Sequence, residues 1–190
     1  MIKAIFLAAG QSKRIKYENK LVKRYKKTPL INHSLKVLHK TKVNKVIIVL
    51  GHQRKEVKKI IFKNKKNIFI YNKDYKNGMA SSIKVGLKKV ARNDKGFIIV
   101  QSDMPFIKKS DINKIYNSIK LKKFLVHVLK FKNKIGNPIG FDISLTKRFK
   151  KIKGEYGAKF MVKRLKNKTN FIKVNSSKVF KDFDLKKDFN

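Results

Sequence analysis

The 190-residue chain predicts a single three-layer α/β/α domain built on a mainly parallel sheet, and three features carry that prediction. Short apolar runs recur along it, each long enough for a buried strand. Stretches of about ten residues with helical apolar spacing separate these runs. Small or turn-forming residues close several of them. Strands alternating with helices imply right-handed crossovers, hence parallel neighbours with helices packed on both faces.

The elements follow in order. Ile2 to Leu7 reads as the first strand. Pro29 starts a helix over Leu30 to His39, with Leu30, Leu35 and Leu38 among its apolar positions. Val46 to Leu50 is a second buried strand ending in Gly51, and Arg54 to Phe62 is helical by period. Ile68 to Tyr71 is a third strand, Ser81 to Ala91 a helix capped by a serine, and Phe97 to Val100 a fourth strand. Another helix begins near Lys109, where Ser110 or Asp111 is placed to cap it. In such Rossmann-like sheets the ligand sits off the carboxyl ends of the strands, so the loops after Leu7, Tyr71 and Val100 should border one crevice. No linker, repeat or low-complexity tail interrupts residues 1–190 beyond a lysine bias.

Composition narrows the classes. A hydrophobic fraction of 42% is ordinary for a soluble protein, and no apolar stretch approaches a membrane span. With no cysteine, disulfides, thiolate chemistry and Cys-based metal sites are excluded, and a cytoplasmic location is the expectation. The formal charge of +40 invites a nucleic-acid reading. Dedicated binders, however, concentrate charge on one face and favour arginine. Here lysine is spread along nearly the whole chain and arginine is limited to Arg14, Arg24, Arg54, Arg92, Arg148 and Arg164. Lys, Asn, Ile and Phe are all abundant and all encoded by A/T-rich codons, so composition drift explains the lysine excess at least as well as selection for a polyanion. No specific nucleic acid and no membrane are expected as partners.

The first loop is the most informative stretch. After the apolar run, Leu7, Ala8, Ala9, Gly10 and Ser12 are small or close the strand, which lets backbone N–H groups approach a ligand that side chains would otherwise block. Arg14 and Lys20 then bring positive charge, as a triphosphate requires. Only Gly10 is glycine in this turn, which excludes the dinucleotide fingerprint, and no Gly-Lys-Ser/Thr follows, which excludes a Walker A loop. After the fourth strand comes Gln101-Ser102-Asp103-Met104-Pro105. In a chain with 11 acidic residues against 51 basic ones, a carboxylate at the end of a buried strand is costly unless it holds a cation. A metal ion accounts for Asp103 better than a cap does, since the next helix starts well downstream. One carboxylate holds a divalent ion weakly, so a second ligand is needed. Read on its own, Asp182-Phe183-Asp184 near the C-terminus is an ordinary acidic tail.

These residues resemble the MobA-like nucleotidyltransferases, of the nucleotide-diphospho-sugar transferase type. L-A-A-G-x-S-x-R followed by Lys20-Leu21 is similar to the family's signature loop, and Asp103-Met104-Pro105 to its D-M-P element. Asn72 to Ser82, with Asp74-Tyr75, Gly78-Met79 and Ser81-Ser82, resembles its N-P-D-Y-x-x-G-M-x-S-S element, with Lys73 in place of proline. Gly136-Asn137-Pro138 and Gly154-Glu155-Tyr156-Gly157-Ala158 resemble its G-N-P and G-D-E-G-A elements, with Glu155 and Tyr156 where Asp and Glu are usual. Asp182 to Asp188 resembles its closing D-I-D-T-P-E-D segment, although Leu185-Lys186-Lys187 replaces Thr-Pro-Glu.

The resemblance implies a Mg²⁺-dependent enzyme with Arg14, Lys20 and Asp103 catalytic. Leu7, Ala8, Ala9, Gly10, Ser12, Arg14, Lys20, Gly78, Ser81 and Ser82 would bind nucleotide, and Gly136, Asn137, Pro138, Gly154 and Gly157 the acceptor. Asp103 and Asp184 would hold the metal, with Asp182 the alternative to Asp184. Ala9 and the G-M-x-S-S element resemble relatives that use CTP to make molybdopterin cytosine dinucleotide. The implied substrates are therefore CTP and molybdopterin cofactor, the products the dinucleotide and pyrophosphate, and the receiving partner a molybdoenzyme or its maturation chaperone. Three rivals stand beside this: a cytidylyl- or uridylyltransferase of a sugar or alcohol phosphate, a noncatalytic cofactor carrier, and a basic nucleic-acid binder.

Overall fold

The computed structural model describes residues 1–12, 19–155 and 157–189. Nine strands and six α-helices run in the order β1 (Ile2–Ala8), β2 (Arg24–Tyr25), β3 (Thr28–Pro29), α1 (Leu30–His39), β4 (Lys45–Leu50), α2 (Arg54–Ile60), β5 (Asn67–Tyr71), α3 (Met79–Leu87), β6 (Gly96–Gln101), α4 (Lys109–Lys120), β7 (Val126–Phe131), β8 (Lys134–Asp142), α5 (Thr146–Phe149), α6 (Ala158–Arg164) and β9 (Thr169–Lys173) among the described residues. Seven strands form one sheet in the order β5-β4-β1-β6-β8-β7-β9, and β2 pairs with β3 in a separate small hairpin. β4, β1, β5 and β6 are mutually parallel neighbours, β7 and β9 likewise, while β8 runs antiparallel to both β6 and β7. The mainly parallel sheet of the sequence reading is what the chain forms.

Both faces of the sheet are covered, which is why β1 is buried throughout. Ile2, Ala4, Phe6 and Ala8 face a cluster with α1 and α4, including Leu35, Leu38, Ile112 and Ile115. Ile5, Leu7 and Ala9 face the opposite cluster with Ile83, Leu87, Phe141, Phe149 and Met161. The helix α3 lies close on this second face because it carries Gly86, where a Cβ would stand 2.5 Å from the Ile5 Cγ2 methyl. None of the described helices is long and apolar enough to cross a membrane.

Local chemistry corrects two cap assignments. Helix α3 begins at Met79, two residues before the expected serine, with Gly78 (φ +86°) as the turn residue ahead of it. Ser81 sits inside the first turn instead and donates its hydroxyl to the carbonyls of Asp74 and Gly78. At α4 the cap position is Lys108, and Asp111 reaches back from the first turn to accept its N–H at 3.1 Å. Neither Ser110 nor Asp111 is the cap itself.

Candidate active site

The carboxyl ends of β1 and β6 lie side by side, tied where the Ser102 N–H donates to the Leu7 carbonyl at 3.3 Å. The loops that leave them line a cavity of about 530 Å³, together with the Tyr75–Met79 loop and the C-terminal segment around Asp182 and Asp184. This is the crevice expected from the parallel arrangement. A buried hydroxyl steadies its β6 side, as Ser34 of α1 donates to the Ser102 carbonyl at 3.2 Å.

Lys20 occupies the centre of the polar corner. Its Nζ lies 2.6 Å from Asp103 Oδ2 and 2.7 Å from Asp184 Oδ1, so a single ammonium bridges the two carboxylates taken from sequence as metal ligands. Burial alone would push that ammonium down, but the hydrogen bonds and charges of Asp103 and Asp184 more than offset it and hold its pKa above the ordinary value. Burial pushes the Asp103 carboxyl up and the charge of Asp182 adds to this, while Lys20 opposes both. Asp182 lines the cavity too, but Asp184 is the one in contact with Lys20.

The backbone around Lys20 is fixed by the loop itself. Ser12, in the left-handed region at φ +55°, accepts the Lys20 N–H on its hydroxyl oxygen at 3.1 Å. Asn19 Oδ1 accepts the Leu21 N–H at 3.1 Å. Ser12 therefore closes the base of the loop and positions Lys20.

The C-terminal segment is held by aromatic packing. The Phe183 ring is buried against Tyr25, Phe106 and Phe189, with centroids 4.8, 5.8 and 5.3 Å away. Its N–H donates to the Asp103 carbonyl at 3.0 Å, which brings the two acidic loops together. Asp188 accepts the N–H groups of Asp184 and Leu185, closing the turn. The sequence signal for this was the preserved Asp188 spacing; the aromatic partners, scattered from residue 25 to 189, gave none.

The remaining candidates fall into three groups. Leu7, Ala9, Gly10, Ser12, Lys20, Gly78, Ser82 and Asp103 line the cavity, whereas Ala8 is buried at the end of β1. Ser81 and Ser82 both accept from the Asn72 side-chain amide, at 2.8 and 3.0 Å, so their hydroxyls brace the loop from within. The first N–H groups of α3 are also engaged: Ala80 donates to the Gly154 carbonyl at 3.0 Å and Met79 to the Glu155 carboxylate at 3.3 Å. A Cβ on Gly78 would stand 2.5 Å from the Gly154 carbonyl oxygen, and one on Gly157 2.7 Å from the Met79 sulfur, so these glycines clasp the two loops together. Gly136, Asn137 and Pro138 lie in β8 and are not among the lining residues; the Asn137 side-chain oxygen is buried without a hydrogen-bond partner among the described atoms. Arg14 lies outside the described residues.

The corner fits a hard divalent cation. Asp103 Oδ1 is buried with no hydrogen-bond partner among the described atoms, and Asp184 faces the same ammonium. Among the described residues no group of three or more metal-ligating side chains is assembled, so Asp103 and Asp184 are the two carboxylates that would hold an ion here.

A model of the MobA-like NTP transferase domain matches residues 4–169. The chain belongs to this family. The bifunctional protein GlmU of Clostridioides difficile is 26% identical over 140 residues, covering 73% of this chain and 29% of its own length. The chain thus spans under a third of that relative. Among solved structures, Rv0371c of Mycobacterium tuberculosis superposes with a TM-score of 0.87 at 20% identity, covering 99% of this chain and 95% of that one. It has also been solved in complex with manganese. Molybdopterin-guanine dinucleotide biosynthesis protein A of Archaeoglobus fulgidus superposes with a TM-score of 0.73 at 16% identity, covering 98% and 94%. At such identities the shared property is the fold.

Proposed function

We propose that this chain is a nucleotidyltransferase that moves CMP from CTP onto the terminal phosphate of molybdenum cofactor. The observation that supports it most is the Lys20–Asp103–Asp184 cluster at one end of a cavity bordered by the β1 loop and the Gly78 loop. It combines a cation, two carboxylates and small-residue backbone on one crevice, which is what a triphosphate needs. The acceptor phosphate oxygen attacks the α-phosphorus of CTP in line; that P–O bond forms as the bond to the β-phosphate bridging oxygen breaks, and pyrophosphate carries away the electron pair.

No side-chain nucleophile is required, so catalysis is positioning and charge neutralisation. Asp103 and Asp184 would hold Mg²⁺, which when bound neutralises charge on the triphosphate. Ser12 fixes the Lys20 backbone, and Lys20 supplies positive charge within reach of the phosphates. The clasp between Gly78 and Gly154 brings the acceptor-side loop onto the nucleotide side. The preference for cytosine and for the pterin acceptor rests on the L-A-A-G and G-M-x-S-S likeness.

The test is incubation with each of the four NTPs, Mg²⁺ and molybdopterin cofactor, with pyrophosphate as the readout. CTP should give release that depends on the cofactor. Release with sugar or alcohol phosphates in place of the pterin would reassign the acceptor and keep the transferase.

A further inference from the structure

Lys20 holds one oxygen of each carboxylate that would hold a metal. Its Nζ lies between Asp103 Oδ2 and Asp184 Oδ1, 2.6 and 2.7 Å away, and an ammonium and a divalent ion cannot both occupy the space between those two oxygens. We propose that Lys20 is the resting counterion of the metal site, and that its ammonium leaves the carboxylate pair for the cavity when a divalent cation is taken up. The inference rests on the reading of Asp103 and Asp184 as metal ligands.

Three observations carry it. Asp103 and Asp184 meet at one corner of a cavity that Asp182 also lines, and the paired negative charge needs a cation whether or not a metal is present. The Lys20 backbone is tethered to Ser12, so the movement falls to a four-carbon side chain with three rotatable donors. Lys20 also lines the cavity beside Gly10, Gln11 and Ser12, so the space it would swing into is where the triphosphate is placed. One charge then does two jobs in turn: it balances the carboxylates at rest and faces the phosphates once the metal has replaced it. Metal uptake and nucleotide binding become reciprocally coupled as a result, because each favours the same position of Lys20.

The test measures Mn²⁺ binding by calorimetry and electron paramagnetic resonance without nucleotide, so it does not depend on activity. Lys20→Met should bind Mn²⁺ about tenfold or more tightly than the wild type, the size of a typical coupling between sites. Adding Asp103→Asn should abolish the gain. Lys20→Arg should behave like the wild type. Lys76→Met, which removes a cation from the same cavity without touching the carboxylates, should change the affinity little, which separates direct competition from general charge. The wild type supplies an arm that no folding defect can obscure. Its Lys20 ammonium, protected by two carboxylates, should give a slowly exchanging ¹⁵N signal that disappears or shifts as Mg²⁺ saturates.

An unchanged ammonium signal at saturating Mg²⁺, or Lys20→Met binding Mn²⁺ no tighter while Asp103→Asn weakens both proteins, overturns the exchange and leaves the metal assignment intact. If Asp103→Asn alters Mn²⁺ binding in neither protein, the exchange and the metal assignment fall together. Pyrophosphate release then decides the transferase reading separately.

Discussion

Asp103 is the residue on which the proposed chemistry turns, and its surroundings fit a carboxylate kept there in a chain so rich in lysine. Its side chain is 13% exposed, one oxygen on Lys20 and the other buried without a hydrogen-bond partner among the described atoms. Asp103→Asn keeps the shape and removes the charge. Transfer should fall by roughly two orders of magnitude or more, the scale of a few kcal/mol of transition-state stabilisation, while the thermal transition stays cooperative. Near wild-type turnover with Mg²⁺ would falsify the metal assignment. Ala9 is the other residue with a sharp expectation, since it lines the cavity where the base-reading likeness lies. The wild type should prefer CTP to GTP in parallel pyrophosphate assays, and Ala9→Gly should loosen that preference before it abolishes activity. Equal use of both nucleotides by the wild type sinks the cytosine assignment and spares the family.

Elements, not single contacts, set where these residues stand, and the Phe183 segment shows it. Phe183→Ala should destabilise the protein by about 3 kcal/mol in denaturant titrations, as for a buried aromatic, and should lower transfer because Asp184 loses its placement. Unchanged turnover would mean that Asp184 is positioned by the Asp188 turn alone. A second elemental feature is His127 of β7, fully buried, whose Nδ1 lies 2.7 Å from the Ser118 hydroxyl of α4. Burial pushes its pKa from 6.5 down to about 4. Because the unfolded imidazole takes a proton first, the stability this group contributes is present above pH 6.5 and lost as the pH falls toward about 4, a change of about 3 kcal/mol. His127→Gln should remove that portion of the acid loss. Asp94 acts in a lower window: burial opposes its ionisation, yet Lys3 depresses its pKa, so its contribution disappears only below its ordinary value of 3.8. Such elements divide what the sequence revealed from what it hid. β1, β4 and β6 are apolar runs buried on both faces and β5 is an apolar run on a half-exposed edge; all four are legible, as is α1 from Pro29 and its leucines. β7, β8 and β9 are not legible in the sequence: Lys130 interrupts β7, Gly136 and Pro138 break the period of β8, β9 is only five residues long, and tertiary pairing overrides propensity there. Of the site, Asp103 and Lys20 were legible from spacing and charge. Their mutual contact was not, because it joins residues 83 positions apart.

The whole molecule carries +40, and at that scale electrostatics becomes an experimental variable rather than a site. Phosphorylated substrates should be drawn to the protein at low ionic strength, and so should any RNA or DNA, through counterion release rather than base contacts. The acidic corner is the local exception: Asp103 and Asp184 meet there in a chain with 51 basic residues against 11 acidic ones. The two behaviours separate by salt. Duplex and RNA binding, followed by fluorescence anisotropy, should show little sequence preference, should fall steeply with salt and should largely vanish near physiological ionic strength, while CTP transfer persists. Asp103→Asn should leave that binding unchanged apart from a small charge effect. Tight, sequence-selective binding that survives at about 0.2 M salt would instead mean that the lysines serve a polyanion, because nonspecific contacts alone do not produce discrimination between sequences under those conditions. The transferase reading would then have to share the protein with a second function.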